Sequence, residues 1–196
     1  MPISRWEVGN SRRADPGSLR CNGAGRGWNM KNFEGEKGIG MSEREAREFL
    51  TKSKSTLLLA TTNADGSPMI HPVWYYFDSS RTKLYFYTEP ALRKATNIKK
   101  RSQIYFDVDS DIWPYKGVKG KGRAKVLESR KEALSFGGKI LAKYVKKGQP
   151  MIKSVLEKIK TGGYVVFEIE PAYFTSWDYA KLVPQSGRSI LDAVIS

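Results

Sequence analysis

The stretch STLLLATTNADGSPMIHPVWYYFDSSRTKLYFYT, residues 55–88, decides the fold. Leu57-Leu58-Leu59-Ala60 forms a continuous apolar run inside a strand expected from Ser55 to Thr62. Asn63 to Pro68 is a cluster of turn residues. A second strand, Met69 to Phe77, is dense in aromatics and carries Pro72 in its middle. A proline there removes a ladder donor and marks an edge, a bulge or a ligand site. After the turn at Asp78 to Thr82, residues Lys83 to Thr88 alternate, with Leu84 and Phe86 on one face and Tyr85 and Tyr87 on the other. Short connections favour antiparallel pairing, so the three strands read as a meander.

Upstream, Ser42 and Glu45 have capping-box spacing, and Ala46, Phe49 and Leu50 share one helix face. Downstream, Pro90 opens a short helix with Ala91, Leu92, Ala95 and Ile98 inward. Strands are expected at Gln103 to Val108 and at about Gly117 to Glu128. Ser129 and Glu132 start a further helix, and Ile152, Val155, Leu156 and Ile159 make the apolar stripe of another. Two strands, Tyr164 to Glu170 and Tyr173 to Tyr179, complete the order α-βββ-α-ββ-αα-ββ. Seven strands with few long helices give a mainly β, antiparallel fold with flanking helices, a barrel or a sandwich.

Residues 1–40 differ: they hold eight of the eighteen glycines, and their apolar residues follow no period. Such a stretch buries too little to offset its ordering entropy, so it is expected to be disordered or foreign to the native product. The domain organisation expected is therefore this extension, one domain over residues 41–181, and a tail over residues 182–196.

The chain has 196 residues, one Cys and one His, which exclude a disulfide framework and a four-ligand zinc site within one chain. No apolar run approaches a membrane span, and the lone cysteine fits a cytoplasmic protein. Lys and Arg total 34 against 20 Asp and Glu, a net charge of +14. That surplus suits an anionic partner or simply a solvated surface.

Two places could hold an anion. In Thr88-Glu89-Pro90-Ala91-Leu92-Arg93-Lys94-Ala95-Thr96-Asn97 a hydroxyl ends a strand, a helix begins, and two cations lie in its first turns. Free N–H groups at a helix start attract phosphate, although a capped surface helix would look the same. In the fifth strand Lys119, Lys121, Arg123 and Lys125 form a cationic stripe opposite Val118, Gly120, Gly122 and Ala124. The stripe binds an anion, or it keeps an exposed face from pairing. Trp74 and Tyr75 could wall a planar ring. His71 alone reads as structural, and Asp107, Asp109 and Asp111 as a solvated strand end more than a metal site.

Leu57-Leu58-Leu59-Ala60-Thr61-Thr62, Asp65-Gly66-Ser67-Pro68, Pro72-Val73-Trp74-Tyr75, Tyr85-Phe86-Tyr87-Thr88, Arg93-Lys94-Ala95-Thr96-Asn97 and Lys119-Gly120-Lys121-Gly122-Arg123-Ala124 occur in a family order. The chain resembles the pyridoxamine 5'-phosphate oxidase-like superfamily over roughly residues 41–181, most closely its flavin- and deazaflavin-dependent oxidoreductases. The resemblance implies an FMN-binding split β-barrel, Greek-key-like, that forms a homodimer with cofactor sites at the interface. It implies a cofactor, FMN or the F-420 deazaflavin, and hydride transfer to or from a small organic substrate. The ring would lie along Pro72, Val73, Trp74 and Tyr75. Thr88, Arg93 and Lys94 would hold the phosphate, and Asn97 occupies the family's Asn position. Val118, Lys119 and Lys121 would face the cofactor, and Trp177 would approach it across the dimer. The resemblance implies no particular catalytic residue. The C-terminal end has one Arg, Arg188, where vitamin B6 oxidases carry an arginine-rich segment, which argues against B6 oxidation. Two other readings stay open: a basic barrel that binds nucleic acid through aromatic platforms, and a flavin carrier or sensor without turnover. Haem would have only His71 as a histidine ligand.

Overall fold

The computed structural model describes residues 33–182. Its strands are β1 (Phe33–Gly35), β2 (Leu57–Thr62), β3 (Pro68–Val73), β4 (Tyr76–Asp78), β5 (Lys83–Thr88), β6 (Gln103–Asp109), β7 (Lys116–Val126) and β8 (Val165–Asp178). The helices are α1 (Glu43–Lys52), α2 (Arg93–Lys100), α3 (Arg130–Tyr144) and α4 (Pro150–Thr161). One sheet runs in the order β3-β2-β6-β7-β8-β5-β4, with β1 added alongside β8. All pairings are antiparallel except β1 with β8.

The expected meander is two hairpins at opposite ends of this path. The strand expected from Met69 to Phe77 breaks at Trp74-Tyr75; its first half pairs with β2 and its second with β5. Only three Cα steps separate Val73 from Tyr76, at most ~11 Å of chain. Strands at the two ends of a seven-strand path therefore come close together, and the sheet must curl. The result is an antiparallel half-barrel with an open seam between β3 and β4, flanked by four helices.

The barrel core is the inner face of the sheet, including Leu57, Leu59, Leu84, Phe86, Phe106, Val118 and Phe167, all buried. A second cluster packs Phe136, Ile140, Val155 and Ile159 of α3 and α4 against Tyr85 and Val166 on the other face. Tyr85 and Phe136 stack there, 3.6 Å between centroids.

The two last expected strands are one, β8, which pairs with β7 from Phe167 to Asp178. The register slips opposite Lys121–Gly122, where Pro171 has no N–H to contribute. The periodicity broke at this slip, which made one strand look like two.

The expected boundary at residue 40 is also corrected. Phe33, Glu34 and Gly35 pair in parallel with Phe174, Thr175 and Ser176. The Met41 N–H donates to Ser176 Oγ at 3.1 Å, and Lys119 pairs with Glu36 at 3.1 Å. Three residues are too few to show a period, so β1 left no sequence signal. Residues 1–32 and 183–196, which hold the rest of both expected tails, lie outside the described residues.

Candidate cofactor cleft

The site starts at the barrel seam. Pro72 is exposed on β3, an edge strand, where its missing N–H breaks no ladder bond. Val73 is buried. Trp74 lies in the seam, stacked on Tyr144 at 5.1 Å and nearly parallel. Tyr75, expected to wall a ring, is instead buried in the core. Its hydroxyl donates to the Leu50 carbonyl at 2.8 Å, and burial pushes its acidity well down. Only its backbone can reach the seam.

The second wall is the β5–α2 junction. Thr88 ends β5 and is buried. The chain turns through Glu89 to Leu92, and helix geometry begins at Arg93, three residues after Pro90. Leu92 at the N-cap makes no side-chain capping bond, and the first turn has no acid. Helix α1 is the contrast: Ser42 accepts from the Glu45 N–H, and the Glu45 carboxylate accepts from the Ser42 N–H at 2.7 Å. That bond, with those from the Ser42 hydroxyl and Lys181, holds the Glu45 carboxyl down at about 2. Helix α2 instead places Arg93 and Lys94 at the positive end of its dipole, where each cation costs ~0.3–1 kcal/mol in the absence of an anion.

These walls meet in a cleft of about 320 Å³. Pro72, Val73 and Trp74 line it from the seam, and Thr88 and Lys94 from the junction. Burial holds the Lys94 amine below its ordinary value, against the opposing pull of the nearby Glu89 carboxylate. Tyr87, Glu89, Leu92 and Tyr164 complete the lining. Tyr87 and Tyr164 lie 5.3 Å apart between centroids. None of these four was singled out from sequence; Tyr87 was visible as the alternate face of β5, but nothing local linked Tyr164 to it. The donor set of hydroxyl, ammonium and open helix N–H groups fits a phosphate, and the aromatic walls fit a planar ring.

Arg93 is exposed and outside this lining. Asn97 is buried and turned away: its amide donates to Thr61 Oγ1 at 3.1 Å and to Asn63 Oδ1 at 3.0 Å, tying α2 to β2 and the turn after it. Val118 is packed in the core. Lys119, Lys121 and Trp177 share the outer face of β7 and β8, with Lys119 Nζ 5.0 Å above the Trp177 ring and Lys121 Nζ 5.7 Å from Tyr105. The β7 glycines admit the chain's own groups: a Cβ at Gly120 would overlap the Tyr173 carbonyl and the Phe106 ring.

The two halves of the expected site are therefore separate within one chain. Pro72 pairs with Leu58, Leu58 with Asp107, and Asp107 with Lys119. Three inter-strand steps of ~4.8 Å put Pro72 and Lys119 ~14 Å apart. The same outer face exposes Ile70 (63%) and Tyr105 (52%). Asp107 Oδ1 is buried there without a hydrogen-bond partner among the described residues. Burial, with Asp109 nearby, pushes its carboxyl up to about 6. No group of three metal-ligating side chains occurs among the described residues, and no described helix is long and apolar enough to cross a membrane.

A half-barrel of this topology with an aromatic, lysine-bearing cleft at its seam defines a class, and the sequence match agrees. The pyridoxamine 5'-phosphate oxidase family profile matches residues 42–178, and the chain belongs to that family. No curated protein matches it in sequence. Among solved structures, the chain is similar to a conserved hypothetical protein, Rv2991, from Mycobacterium tuberculosis: 24% identity over 76% of this chain and 92% of that one, TM-score 0.65. It is similar to a heme storage protein, HutZ, from Vibrio cholerae: 17% identity, 66% and 89% coverage, TM-score 0.53. A chain described as F420 reductase matches at 20% identity over 65% of this chain and 94% of that one, TM-score 0.50. At these identities the likeness defines the fold.

Proposed function

We infer that the protein is a flavin-type oxidoreductase, a cytoplasmic homodimer that holds FMN, or the F-420 deazaflavin, in the cleft behind Trp74. The observation that carries this reading is the start of α2: Arg93 and Lys94 stand in a first turn with no acid and no side-chain cap, and Lys94 lies beside a buried threonine in an aromatic cleft that also holds Glu89. A bound phosphate relieves that electrostatic strain. Thr88 and Lys94 hold the anion, and the N–H groups of the first turn of α2 face it. Trp74, braced by Tyr144, and the backbone of β3 fix the ring. When bound, the cofactor supplies a ring that accepts or donates hydride; the chain supplies position, charge and exclusion of water. Both candidate cofactors carry a phosphate and a tricyclic ring, and the likeness to a chain described as F420 reductase keeps the deazaflavin in the reading.

A second copy completes the site. Lys119, Lys121 and Trp177 are too far from the cleft of their own chain, and the outer face that carries them exposes Ile70 and Tyr105 around an unsatisfied carboxylate. A two-fold dimer needs one self-complementary face. On this one the acids of β6 run beside the cations of β7. The substrate is a small organic molecule lying over the ring.

The test is spectroscopic. The purified protein is expected to be yellow, or to bind FMN or F-420 when titrated, and to exchange electrons with a reductant and an acceptor. A colourless protein that binds neither cofactor, and instead binds oligonucleotides in a salt-sensitive way, overturns the reading. Tight binding without turnover makes the protein a carrier.

A further inference from the structure

His71 is the sole histidine and lies on β3, between the exposed Ile70 and the cleft residue Pro72. Its Nδ1 is buried and has no hydrogen-bond partner among the described residues. Its strand partner is Leu59, which is neutral. Lys94, in the first turn of α2, lines the cleft together with Pro72, the next residue after His71, and its charge acts on the imidazole. Arg93 precedes Lys94 on that turn, and Glu89 acts on Lys94 from the cleft wall. No carboxylate bonds the imidazole to steady a positive charge. Burial, and then repulsion from Lys94, hold His71 below its ordinary value. The cation that opposes its protonation is thus the one that lines the cleft.

We propose that His71 is a positioning residue for the anion end of this cleft: a phosphate held at Lys94 offsets the lysine's charge, the imidazole takes up one proton from solvent, and His71 adds to the grip on the anion below neutrality and not above it. This rests on the cofactor reading given above. The sign follows from linkage. Binding raises the imidazole pKa, so the added affinity is full below the value in the free protein. It is lost as pH rises through the value in the complex. Each unit of upward shift is worth about tenfold in affinity.

A single histidine gives a single imidazole C2–H resonance, so its titration can be followed by proton NMR in the unaltered protein. It is recorded alone, with saturating FMN or F-420, with riboflavin, and with inorganic phosphate. FMN and inorganic phosphate are expected to raise the midpoint by about one unit or more, and riboflavin, which lacks the phosphate, is not. His71→Gln supplies the second readout. The phosphate's own second ionisation, near ~6, makes binding stronger as pH rises; the ratio of wild-type to His71→Gln affinity cancels that effect. The ratio is expected to fall from about tenfold at pH 5 to near one at pH 8. FMN binding with an unmoved imidazole and a flat ratio overturns this proposal and leaves the flavin reading standing. A midpoint raised by inorganic phosphate in a protein that binds neither FMN nor F-420 keeps the proton linkage and removes the flavin reading. No response to FMN, F-420 or inorganic phosphate removes both.

Discussion

At the scale of single residues, the cleft separates neighbours that look equivalent in sequence. Arg93 and Lys94 are adjacent cations, yet only Lys94 lines the cleft. Lys94→Ala is expected to weaken FMN binding by more than ~1.5 kcal/mol, the scale of a charge-assisted hydrogen bond, and Arg93→Ala by clearly less. Isothermal titration of both variants checks this, and equal losses would place Arg93 in the site beside Lys94. Tyr75 makes the converse case. Tyr75→Phe deletes the hydroxyl that donates to Leu50 but keeps the ring beneath the Lys143 ammonium, 3.5 Å from its centroid. Lys143 Nζ also donates to the Leu50 carbonyl, at 3.0 Å, so that oxygen stays satisfied. The variant is expected to lose ~0.5–1.5 kcal/mol of stability in denaturant melts and to bind FMN as before. A drop in cofactor affinity without a drop in stability would put Tyr75 back in the site.

At the scale of elements, what sequence could reveal follows from how far apart the partners lie. Thr88 and Lys94 were legible because a strand end, a turn and a helix start fall within a few residues. The caps of α1 and α3 were legible for the same reason, since Ser42 with Glu45 and Ser129 with Glu132 are three residues apart. Pro72 marked an edge, a bulge or a ligand site, and β3 does lie at an edge of the sheet. The break of its strand at Trp74-Tyr75 did not show, because residues on both sides of a barrel seam alternate alike. Nor did the removal of Asn97 and Val118 from the cleft, which depends on pairings to residues 36 positions away or on the register of β6 with β7. The glycines of β7 carried a visible signal, close approach, but not the identity of what approaches. At Gly120 it is the Phe106 ring and the Tyr173 carbonyl, so Gly120→Ala forces the β6–β7–β8 ladder apart. That overpacking is expected to destabilise the fold by ~1–3 kcal/mol in a urea titration. A neutral or stabilised variant would mean that the strands yield more easily than a packed core should.

At the scale of the whole molecule, the question is whether a single chain can be the functional unit. Its cleft, at about 320 Å³, lies at the small end of ligand pockets, which run ~300–1,000 Å³. The cations that would close it lie ~14 Å away across the outer face of the sheet, and the tryptophan is one strand further on. Ile70 and Tyr105 project from that face and do not line the cleft. Replacing either with glutamate leaves the cleft of each chain untouched, and buries a charge only if a second copy covers the face. Ile70→Glu and Tyr105→Glu are therefore expected to give folded monomers in sedimentation equilibrium, with FMN affinity lowered at least tenfold, about 1.4 kcal/mol or more. Size and affinity should move together in both variants, because one contact governs both. A monomer that binds FMN as tightly as the unaltered protein would show that the cleft suffices alone. A dimer that survives both substitutions would place the interface on another face, and Lys119, Lys121 and Trp177 would lose their claim on the cofactor.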